Sequence, residues 1–225
     1  MSDFSVQALL RQLPYFANVD DTIIAHIAAQ AVRRTFQADE AIFWEGDASA
    51  GLCTVEYGRI KAYKVSPDGH EYILRFFGPG DSFNELAALD GAANAVNTMA
   101  MTEASVWVID TAVFTQVLQE DHQLCLAVLR GLVGRVRHIV GRMEDLALRP
   151  VTARLANFLL QQAGATSADL AHPAITRTLI ANHLAPPPES ISRSLRVLEQ
   201  AGAIRFDRQQ IFILDSNILR DQAHL

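Results

Sequence analysis

The sequence predicts an α+β protein with an N-terminal antiparallel β-roll, a long central helix and a C-terminal helix-turn-helix followed by a β-hairpin. Short β-rich runs separated by glycine and proline occupy residues 32–110. Apolar residues repeat at helical spacing through residues 121–148, and two more helical segments flank three consecutive prolines. Because 50% of the 225 residues are hydrophobic, we expect a substantial core and a folded chain.

The β-roll is predicted from five runs rich in β-branched and aromatic residues, which are Ala41–Glu45, Leu52–Tyr57, Arg59–Val65, Tyr72–Phe77 and Val106–Asp110. Turns are predicted at Gly46, Gly58, Gly69 and Gly80, because tight connections need positive-φ conformations that glycine adopts readily. Ahead of the roll, helical spacing predicts two helices, Ser5–Leu13 and Asp21–Ala31.

Cysteine content and the N-terminal residues restrict the class of protein. Cys53 and Cys125 are too few for a disulfide framework, a four-thiolate iron–sulfur site or an all-cysteine zinc site. The N-terminus lacks a basic region followed by an apolar run, and no stretch approaches the roughly 20 apolar residues of a membrane helix. We therefore expect a soluble, cytoplasmic protein.

The net charge of −6 hides an uneven distribution. Residues 149–225 contain 8 arginines and 6 acidic residues, a charge of +2, and the other 11 basic and 19 acidic residues give residues 1–148 a charge of −8. Arginine is the side chain best shaped for bidentate contact with phosphate or guanine. The charge distribution therefore favours nucleic acid as a partner of the C-terminal part.

The segment Asp121–Leu148 is predicted to be a coiled-coil helix, because apolar residues recur at alternating spacings of four and three. This predicted dimerisation seam consists of Cys125, Leu129, Leu132, Val136, Ile139, Met143 and Leu146. An adjacent apolar line, Leu126, Val133, Val140 and Ala147, predicts that a second stripe packs on the helix's own roll. The alternative is a helix buried within a monomer. Gly131, Gly134 and Gly141 would each weaken the helix by about 1 kcal/mol relative to alanine.

The pair Arg149-Pro150 marks a predicted domain boundary, because proline cannot continue a helix and restrains the residue before it. Helices are predicted beyond it at Val151–Ala163, Thr176–Ala185 and Glu189–Ala201. Pro186-Pro187-Pro188 is predicted to form the turn between the last two, and Gly202 to end the final helix. Two helices sharing a tight turn indicate a helix-turn-helix.

The helix that begins at Glu189 is predicted to read DNA. Ile191, Leu195 and Leu198, with Val197 beside them, form its apolar face, and the opposite face contains Glu189, Ser192, Arg193 and Arg196. Arginine can bind guanine with two hydrogen bonds, and a carboxylate can accept from cytosine. The runs Ala203–Phe206 and Ile211–Leu214 predict a hairpin wing. An ordinary amphipathic surface helix is the alternative.

Residues Ile175–Ile204, with Glu189-Ser190-Ile191-Ser192-Arg193 inside them, resemble the winged helix of the Crp/Fnr regulator family. The first 148 residues resemble that family's cyclic-nucleotide-binding-type β-roll and dimerisation helix, through Phe43-Trp44-Glu45-Gly46-Asp47, Tyr57-Gly58-Arg59-Ile60-Lys61 and Gly80-Asp81-Ser82-Phe83-Asn84-Glu85. The implied domains are a sensor roll (1–120), a dimerisation helix (121–148) and a winged helix-turn-helix (149–225).

The resemblance implies a target sequence. Glu189, Ser192 and Arg193 match the Fnr-like pattern, which is associated with inverted TTGAT half-sites. Pro188 departs from members that place a basic residue there, so one contact is expected to be missing. The predicted DNA-contacting set is Glu189, Ser190, Ser192, Arg193, Arg196, Thr176, Arg177 and Arg208.

The resemblance also places an effector pocket at Glu85, Asn94 and Ala95. Nucleotide-binding members have Arg-Ser where this chain has Asn94-Ala95, and no basic residue occurs between Arg75 and Arg130, so cyclic AMP is disfavoured. Glu85 corresponds to a ribose-contacting glutamate, although a lone glutamate more often accepts from backbone amides. Asn84 replaces the usual glycine of that loop.

No cysteine precedes Cys53, which excludes the iron–sulfur cluster of Fnr. Haem with a gas ligand such as nitric oxide stays a candidate effector, as does another small molecule. The candidate haem ligands are His26, His70, His122, His138 and His183, none of which lies in a haem-binding signature.

The sequence thus predicts a ligand-gated, homodimeric transcription regulator. The expected partners are double-stranded DNA, a second copy of the chain and RNA polymerase, and both activation and repression are compatible with these residues. A cyclic-nucleotide-binding-type module that regulates a partner protein is the alternative. An enzyme is not expected, because the sequence contains no nucleophile elbow, metal cluster or phosphate-binding glycine loop.

Overall fold

The computed structural model describes residues 6–165, 177–184, 188–207 and 211–224. The helices within these ranges are α1 (Val6–Gln12), α2 (Asp21–Gln30), α3 (Glu85–Asp90), α4 (Thr111–Glu120), α5 (His122–Leu148), α6 (Val151–Ala165), α7 (Arg177–Leu184), α8 (Pro188–Gln200) and α9 (Ser216–Ala223). The strands are β1 (Val32–Phe36), β2 (Ala41–Phe43), β3 (Leu52–Tyr57), β4 (Ile60–Val65), β5 (Glu71–Phe77), β6 (Ser82–Phe83), β7 (Asn97–Ala100), β8 (Ala104–Ile109), β9 (Ile204–Phe206) and β10 (Ile211–Ile213). In this part of the chain, none of the helices has the length and hydropathy needed to span a membrane.

The N-terminal strands form two four-stranded sheets, in the orders β1-β8-β3-β6 and β2-β7-β4-β5. Strand β8 lies antiparallel between β1 and β3, so Val108 is opposite both Val32 and Cys53. Strands β9 and β10 pair separately as an antiparallel hairpin. The predicted mixed class, with a β-roll before a long helix and a C-terminal helical domain, is confirmed.

Each of the five strands predicted for the roll is present within a few residues of its predicted limits. The roll contains three further strands that were not predicted, β1, β6 and β7. Strand β1 lacks an alternating apolar pattern, since Phe36 is its one buried residue. Strand β6 has only two residues, and β7 contains two polar ones. Helix α4 has a signal in the sequence that was missed, because the side chain of Asp110 accepts from Ala112 N at 2.7 Å as an N-cap.

The glycines predicted in tight turns have positive φ angles, namely 86° at Gly46, 88° at Gly58, 82° at Gly69 and 82° at Gly80. Among these four positions, Gly58 leaves the least room for a side chain. A Cβ atom there would lie 2.4 Å from the carbonyl oxygen of Glu103, so a larger residue would force the backbone of the roll apart.

Two clusters of buried side chains form the core of the N-terminal part. One lies inside the roll and includes Phe43, Phe77 and Phe83. The other joins α1, α2 and α4 with the beginning of α5, which contributes Leu124 and Val128. The prediction that Val133 packs on the roll is wrong, because its side chain is more than half exposed. Hydrophobic spacing alone assigned the wrong residues to the face of α5 that contacts the roll. That face continues after Val128 with a charged residue, Arg135.

Contacts divide the chain into two compact units, Met1–Lys64 with Ile73–Val136 and Val65–Tyr72 with Arg137–Leu225. The division falls within α5, so the domain limits 1–120, 121–148 and 149–225 stay a prediction. The helix break predicted at Arg149-Pro150 lies where α5 ends and α6 begins. In the second unit, α6 packs against both α8 and the unpredicted α9.

Candidate nucleic-acid interface and sensor pocket

Helix α8 has one buried face, formed as predicted by Ile191, Leu195 and Leu198. Gly202, with a φ of 77°, follows its end, and Ala203 N donates to Leu198 O at 3.0 Å. The helix begins at Pro188, so the prediction that Pro188 belongs to the turn is wrong. Proline is favoured in the first turn of a helix, because an N–H group at that position would have no intrahelical acceptor and its absence costs nothing.

The opposite side of α8, which we call the α8 outer face, consists of Glu189, Ser192, Arg193 and Arg196. Both arginines and the glutamate are exposed, and Ser192 is half-buried. Glu189 lies in the first turn, where a negative charge interacts favourably with the helix dipole. Val197 was expected beside the core, but it is 41% exposed and lies one turn beyond Arg193.

Of the remaining residues predicted to contact DNA, two lie within the described residues and two lie outside them. Ser190 is half-buried at the beginning of α8. Arg177 is the first residue of α7. Thr176 and Arg208 lie outside the described residues, so their contacts stay a prediction.

The predicted wing is the hairpin β9–β10. Phe212 lies opposite Arg205, and the guanidinium of Arg205 is 4.9 Å from the centre of the Phe212 ring. Ile204 and Ile211 are buried on the other side of the hairpin. One side of the hairpin therefore packs on the helices while the other carries a cation.

In the sensor domain, Asn94 is a buried structural residue with all of its side-chain groups engaged. Its Oδ1 accepts from Ala50 N at 3.1 Å and from Asn84 Nδ2 at 3.0 Å. Its Nδ2 donates to Ala48 O at 3.1 Å and Trp44 O at 3.4 Å. The amide therefore holds the loop after β2 against the loop before β7.

Asn84 has a φ of 65°, a left-handed conformation that favours glycine and that asparagine tolerates better than most residues. The resemblance implies a glycine at this position, and Asn84 adopts the left-handed conformation that a glycine would readily adopt. Its side chain also donates to Gly51 O at 3.0 Å. Ala95, the third predicted pocket residue, is exposed.

Glu85 is buried at the beginning of α3 and forms a bidentate ion pair with Arg135 of α5. Ser82 Oγ also donates to Glu85, and Arg135 Nη2 donates to Ser82 Oγ at 3.3 Å. The partners of this carboxylate are therefore side chains rather than the expected backbone amides. Burial alone would lower the pKa of Arg135, but hydrogen bonds and charge from Glu85 outweigh it and keep the guanidinium charged.

Arg135 was not predicted as the partner of Glu85, because it lies on α5, beyond the segment between Arg75 and Arg130 that contains no basic residue. The signal was its position, seven residues after the buried Val128 on the roll-facing row of α5. Two neighbouring groups are kept uncharged. Burial raises the pKa of Tyr15, with a further contribution from Glu85, and burial raises the pKa of Cys53 to about 12.

Of the five candidate haem ligands, His26 and His122 belong to the unit that contains the roll, and the other three belong to the second unit. His26, His70, His122 and His138 are exposed. The ring of His183 packs 4.9 Å from the ring of Phe158, between α7 and α6. These positions do not fit an axial ligand inside the roll, so we derive no role for haem.

The predicted dimerisation seam is largely exposed in the protomer. Leu129, Val136, Ile139, Met143 and Leu146 have exposed fractions between 44% and 65%. Cys125 and Leu132 are half-buried. Exposed apolar residues that continue along several turns of one helix typically mark an interaction surface.

Two family models match this chain, Cyclic nucleotide-binding domain over residues 33–121 and Crp-like helix-turn-helix domain over residues 153–222. The first covers the roll and the second covers α8, the hairpin and most of α9. This combination defines a transcriptional regulator with a cyclic-nucleotide-binding-type domain.

Relatives along nearly the whole chain agree with that class. The protein named "Probable transcriptional regulator flp" of Lacticaseibacillus casei is 28% identical over 94% of this chain and 96% of its own length. The CRP-like cAMP-activated global transcriptional regulator of Mycobacterium tuberculosis is 25% identical over 96% of this chain and 98% of its own. The chain belongs to the Crp/Fnr family of transcriptional regulators.

A solved structure supports the same fold. The crystal structure of a CRP-family transcriptional regulator from Thermus thermophilus has a TM-score of 0.69 and 27% sequence identity. The match covers 85% of this chain and 97% of that chain. The similarity therefore extends across both the sensor roll and the DNA-binding domain.

Proposed function

We propose that this chain acts as a homodimer that binds inverted TTGAT repeats, of the form TTGAT-N4-ATCAA, and regulates transcription from them. The observation that carries the proposal is the α8 outer face, which exposes Glu189, Arg193 and Arg196 on the side opposite the buried residues of the helix. Arg193 can bind guanine O6 and N7, and Glu189 can accept from cytosine N4. Together these groups can read base edges in a major groove.

The apolar row of α5 supports the dimer. Val136, Ile139 and Met143 would lose their exposure to water if two copies of α5 packed along this row. A twofold dimer would present two α8 helices to half-sites about 34 Å apart, one turn of DNA. An inverted repeat is the matching DNA symmetry.

Cyclic AMP is not the effector in this proposal. Asn94 is used to hold two loops together, and Glu85 is already paired with Arg135. A ligand that needed either side chain would first have to break buried hydrogen bonds. The effector therefore belongs to another chemical class or requires a different arrangement of this pocket.

RNA polymerase and a cytoplasmic location complete the proposal. Both follow from the family and from the location of bacterial DNA. The contact with polymerase would be tested by transcription from a promoter that contains the palindrome.

The DNA-binding proposal is tested by fluorescence anisotropy of the full chain with a TTGAT palindrome and a scrambled duplex of equal length. We expect binding to the palindrome at least a thousandfold tighter, the lower end of ordinary specificity ratios. Equal affinity for the two duplexes would contradict the proposal. Arg220→Ala provides a matched control, because Arg220 is an exposed arginine on a different helix, α9.

The dimer is tested by sedimentation of Ile139→Asp, which places a charge in the middle of the exposed row. We expect this variant to sediment as a monomer because burying an unpaired carboxylate is unfavourable. Arg130→Glu is the matched control, since Arg130 is an exposed residue on the other side of α5. A wild-type monomer, or an unchanged dimer in Ile139→Asp, would contradict this part of the proposal.

The absence of a cyclic AMP site is tested by thermal unfolding with millimolar nucleotide. A ligand at a hundred times its Kd stabilises a protein by about 2.7 kcal/mol, which is easily visible in Tm. We expect no change in Tm. A rise that depends on nucleotide concentration would show that the Glu85–Arg135 pair opens to admit the ligand.

A further inference from the structure

Arg142 occupies an unusual position in the second half of α5. Its Nη2 donates to the hydroxyl of Tyr72 at 3.3 Å and to the carbonyl oxygen of His183 at 3.3 Å. Tyr72 is the second residue of β5, next to the turn that joins β4 to β5, and His183 is the next-to-last residue of α7. One guanidinium therefore joins a sensor-derived hairpin and the first helix of the helix-turn-helix to α5.

The end of α7 needs such donors. The last four carbonyl groups of a helix lack intrahelical partners, and the helix dipole makes this end favourable for cations. Arg142 supplies a donor for His183, and Arg154 of α6 donates to Leu184 O at 2.9 Å. The His183 ring also packs on Phe158 of α6. The position of α7 is thus set by arginines from the two helices that surround the domain boundary.

The hairpin that holds Tyr72 is continuous with the sensor sheet. Residues 65–72 group with residues 137–225, yet the strand that leads into them, β4, pairs with β7 in the roll. Tyr72 moves with β5, and a displacement of β4 would be transmitted to it along the backbone of the hairpin. The hydroxyl of Tyr72 is the last group of this path before Arg142.

We propose that Arg142 is a positioning residue, through which the 65–72 hairpin sets the position of α7 and hence of the DNA-reading α8. The proposal rests on the DNA-binding function proposed above and adds a route by which the sensor acts on it. An effector that moves the hairpin changes the hydrogen bond from Arg142 to Tyr72. The contact of Arg142 with the end of α7 then becomes stronger or weaker, although the effector itself does not touch the helix-turn-helix.

Holding α7 in place should strengthen DNA binding. A dimer must place two α8 helices on two half-sites at once, and fixing their orientation beforehand reduces the entropy lost on binding. One net hydrogen bond corresponds to about fivefold in affinity, and the contact would occur in both protomers. Its loss should therefore weaken binding of the palindrome by about fivefold to twentyfold.

The test is a double-mutant cycle in the full chain, measured as Kd for the palindrome. Tyr72→Phe removes only the hydroxyl, and Arg142→Gln removes the guanidinium. We expect both single variants to weaken binding and the double variant to bind no more weakly than Arg142→Gln alone. Arg137→Gln, an exposed arginine of the same helix, is the matched control and should bind like wild type.

The proposal would be overturned if Tyr72→Phe bound the palindrome like wild type or if either single variant bound it more tightly. It would also be overturned if the increase in Kd of the double variant equalled the product of the two single increases. Multiplied effects would show that the two side chains act independently.

A second measurement does not depend on DNA. Hydrogen–deuterium exchange of the α7 amides should be faster in both single variants than in wild type and in Arg137→Gln. Unchanged exchange in Tyr72→Phe would overturn the coupling. If the wild-type protein failed to distinguish the palindrome from a scrambled duplex, the DNA-binding proposal would fail, and exchange would still test whether Tyr72 acts on α7 through Arg142.

Discussion

The polar side chains of α8 and those of the sensor pocket are in opposite environments. Glu189 and Arg193 project from the surface of α8. Glu85 and Asn94 are buried, and each is hydrogen-bonded to other parts of the same domain. A polar group on the surface of a helix can meet a partner at little cost, whereas a buried and satisfied one must first lose its bonds. The exposed groups of α8 are therefore free to meet a partner, whereas the buried groups of the pocket hold the roll together.

The largest effect should come from breaking the buried ion pair. Arg135→Met keeps much of the apolar stem but leaves the Glu85 carboxylate without its cation. Removing one partner of a buried pair typically costs about 3–5 kcal/mol, and we expect about 3 because Arg135 is partly exposed. Urea unfolding of the full chain measures this change.

Arg130→Met is the matched control for this variant, because Arg130 is exposed on the same helix. The variant Glu85→Gln with Arg135→Met should recover part of the lost stability, since it removes the unpaired charge. If Arg135→Met were as stable as wild type, Glu85 could not be a structural residue, and the pocket would be open to a ligand.

A smaller loss of stability is expected for Asn94→Ala. The substitution leaves Ala50 N and the carbonyl groups of Trp44 and Ala48 without their partner, at a cost of about 2 kcal/mol. The midpoint of urea unfolding should fall accordingly. Asn217→Ala, at an exposed site on α9, should change stability by less than about 0.5 kcal/mol. Equal stabilities of these two variants would mean that Asn94 is not a structural residue.

The α8 outer face should behave in the opposite way. Arg193→Ala is expected to reduce the affinity for the TTGAT palindrome by about 1–3 kcal/mol and to weaken discrimination at the guanine. Its unfolding midpoint should match that of wild type, because Arg193 is exposed. Anisotropy titrations with each guanine position substituted in turn would measure both effects. Uniform loss of affinity for all sequences would instead identify Arg193 as a phosphate contact.

This contrast also explains what could be predicted from the sequence. The faces of α8 follow from residue spacing, so the burial of Ile191, Leu195 and Leu198 could be predicted from the sequence. The exposure of Val197 could not be predicted in this way, because it lies at the border of the two faces. The pair of Glu85 with Arg135 joins residues 50 positions apart, and no local pattern contains that information.

The two stripes of α5 show a related limit of sequence-based prediction. Hydrophobic spacing identified an apolar row but could not tell which row faces the roll, because an arginine with a long apolar stem occupies that face. The buried Leu124 and Val128 and the ion-paired Arg135 define it in the structure. A charged residue in line with buried apolar ones is therefore the signal to seek in related sequences.

The smallest effect concerns α5, the long helix that precedes α6. A Cβ atom added at Gly134 would have no atom within 4 Å, so Gly134→Ala should stabilise α5 by about 1 kcal/mol. Thermal unfolding measures this gain. Ser192→Gly, in the α8 outer face, gives the opposite change in helix propensity and should destabilise α8 by about 0.5 kcal/mol. If α5 serves as a rigid connection, Gly134→Ala should also leave the affinity for the palindrome unchanged. Weaker DNA binding by the more stable variant would show that α5 must bend at Gly134 for the two α8 helices to reach their half-sites.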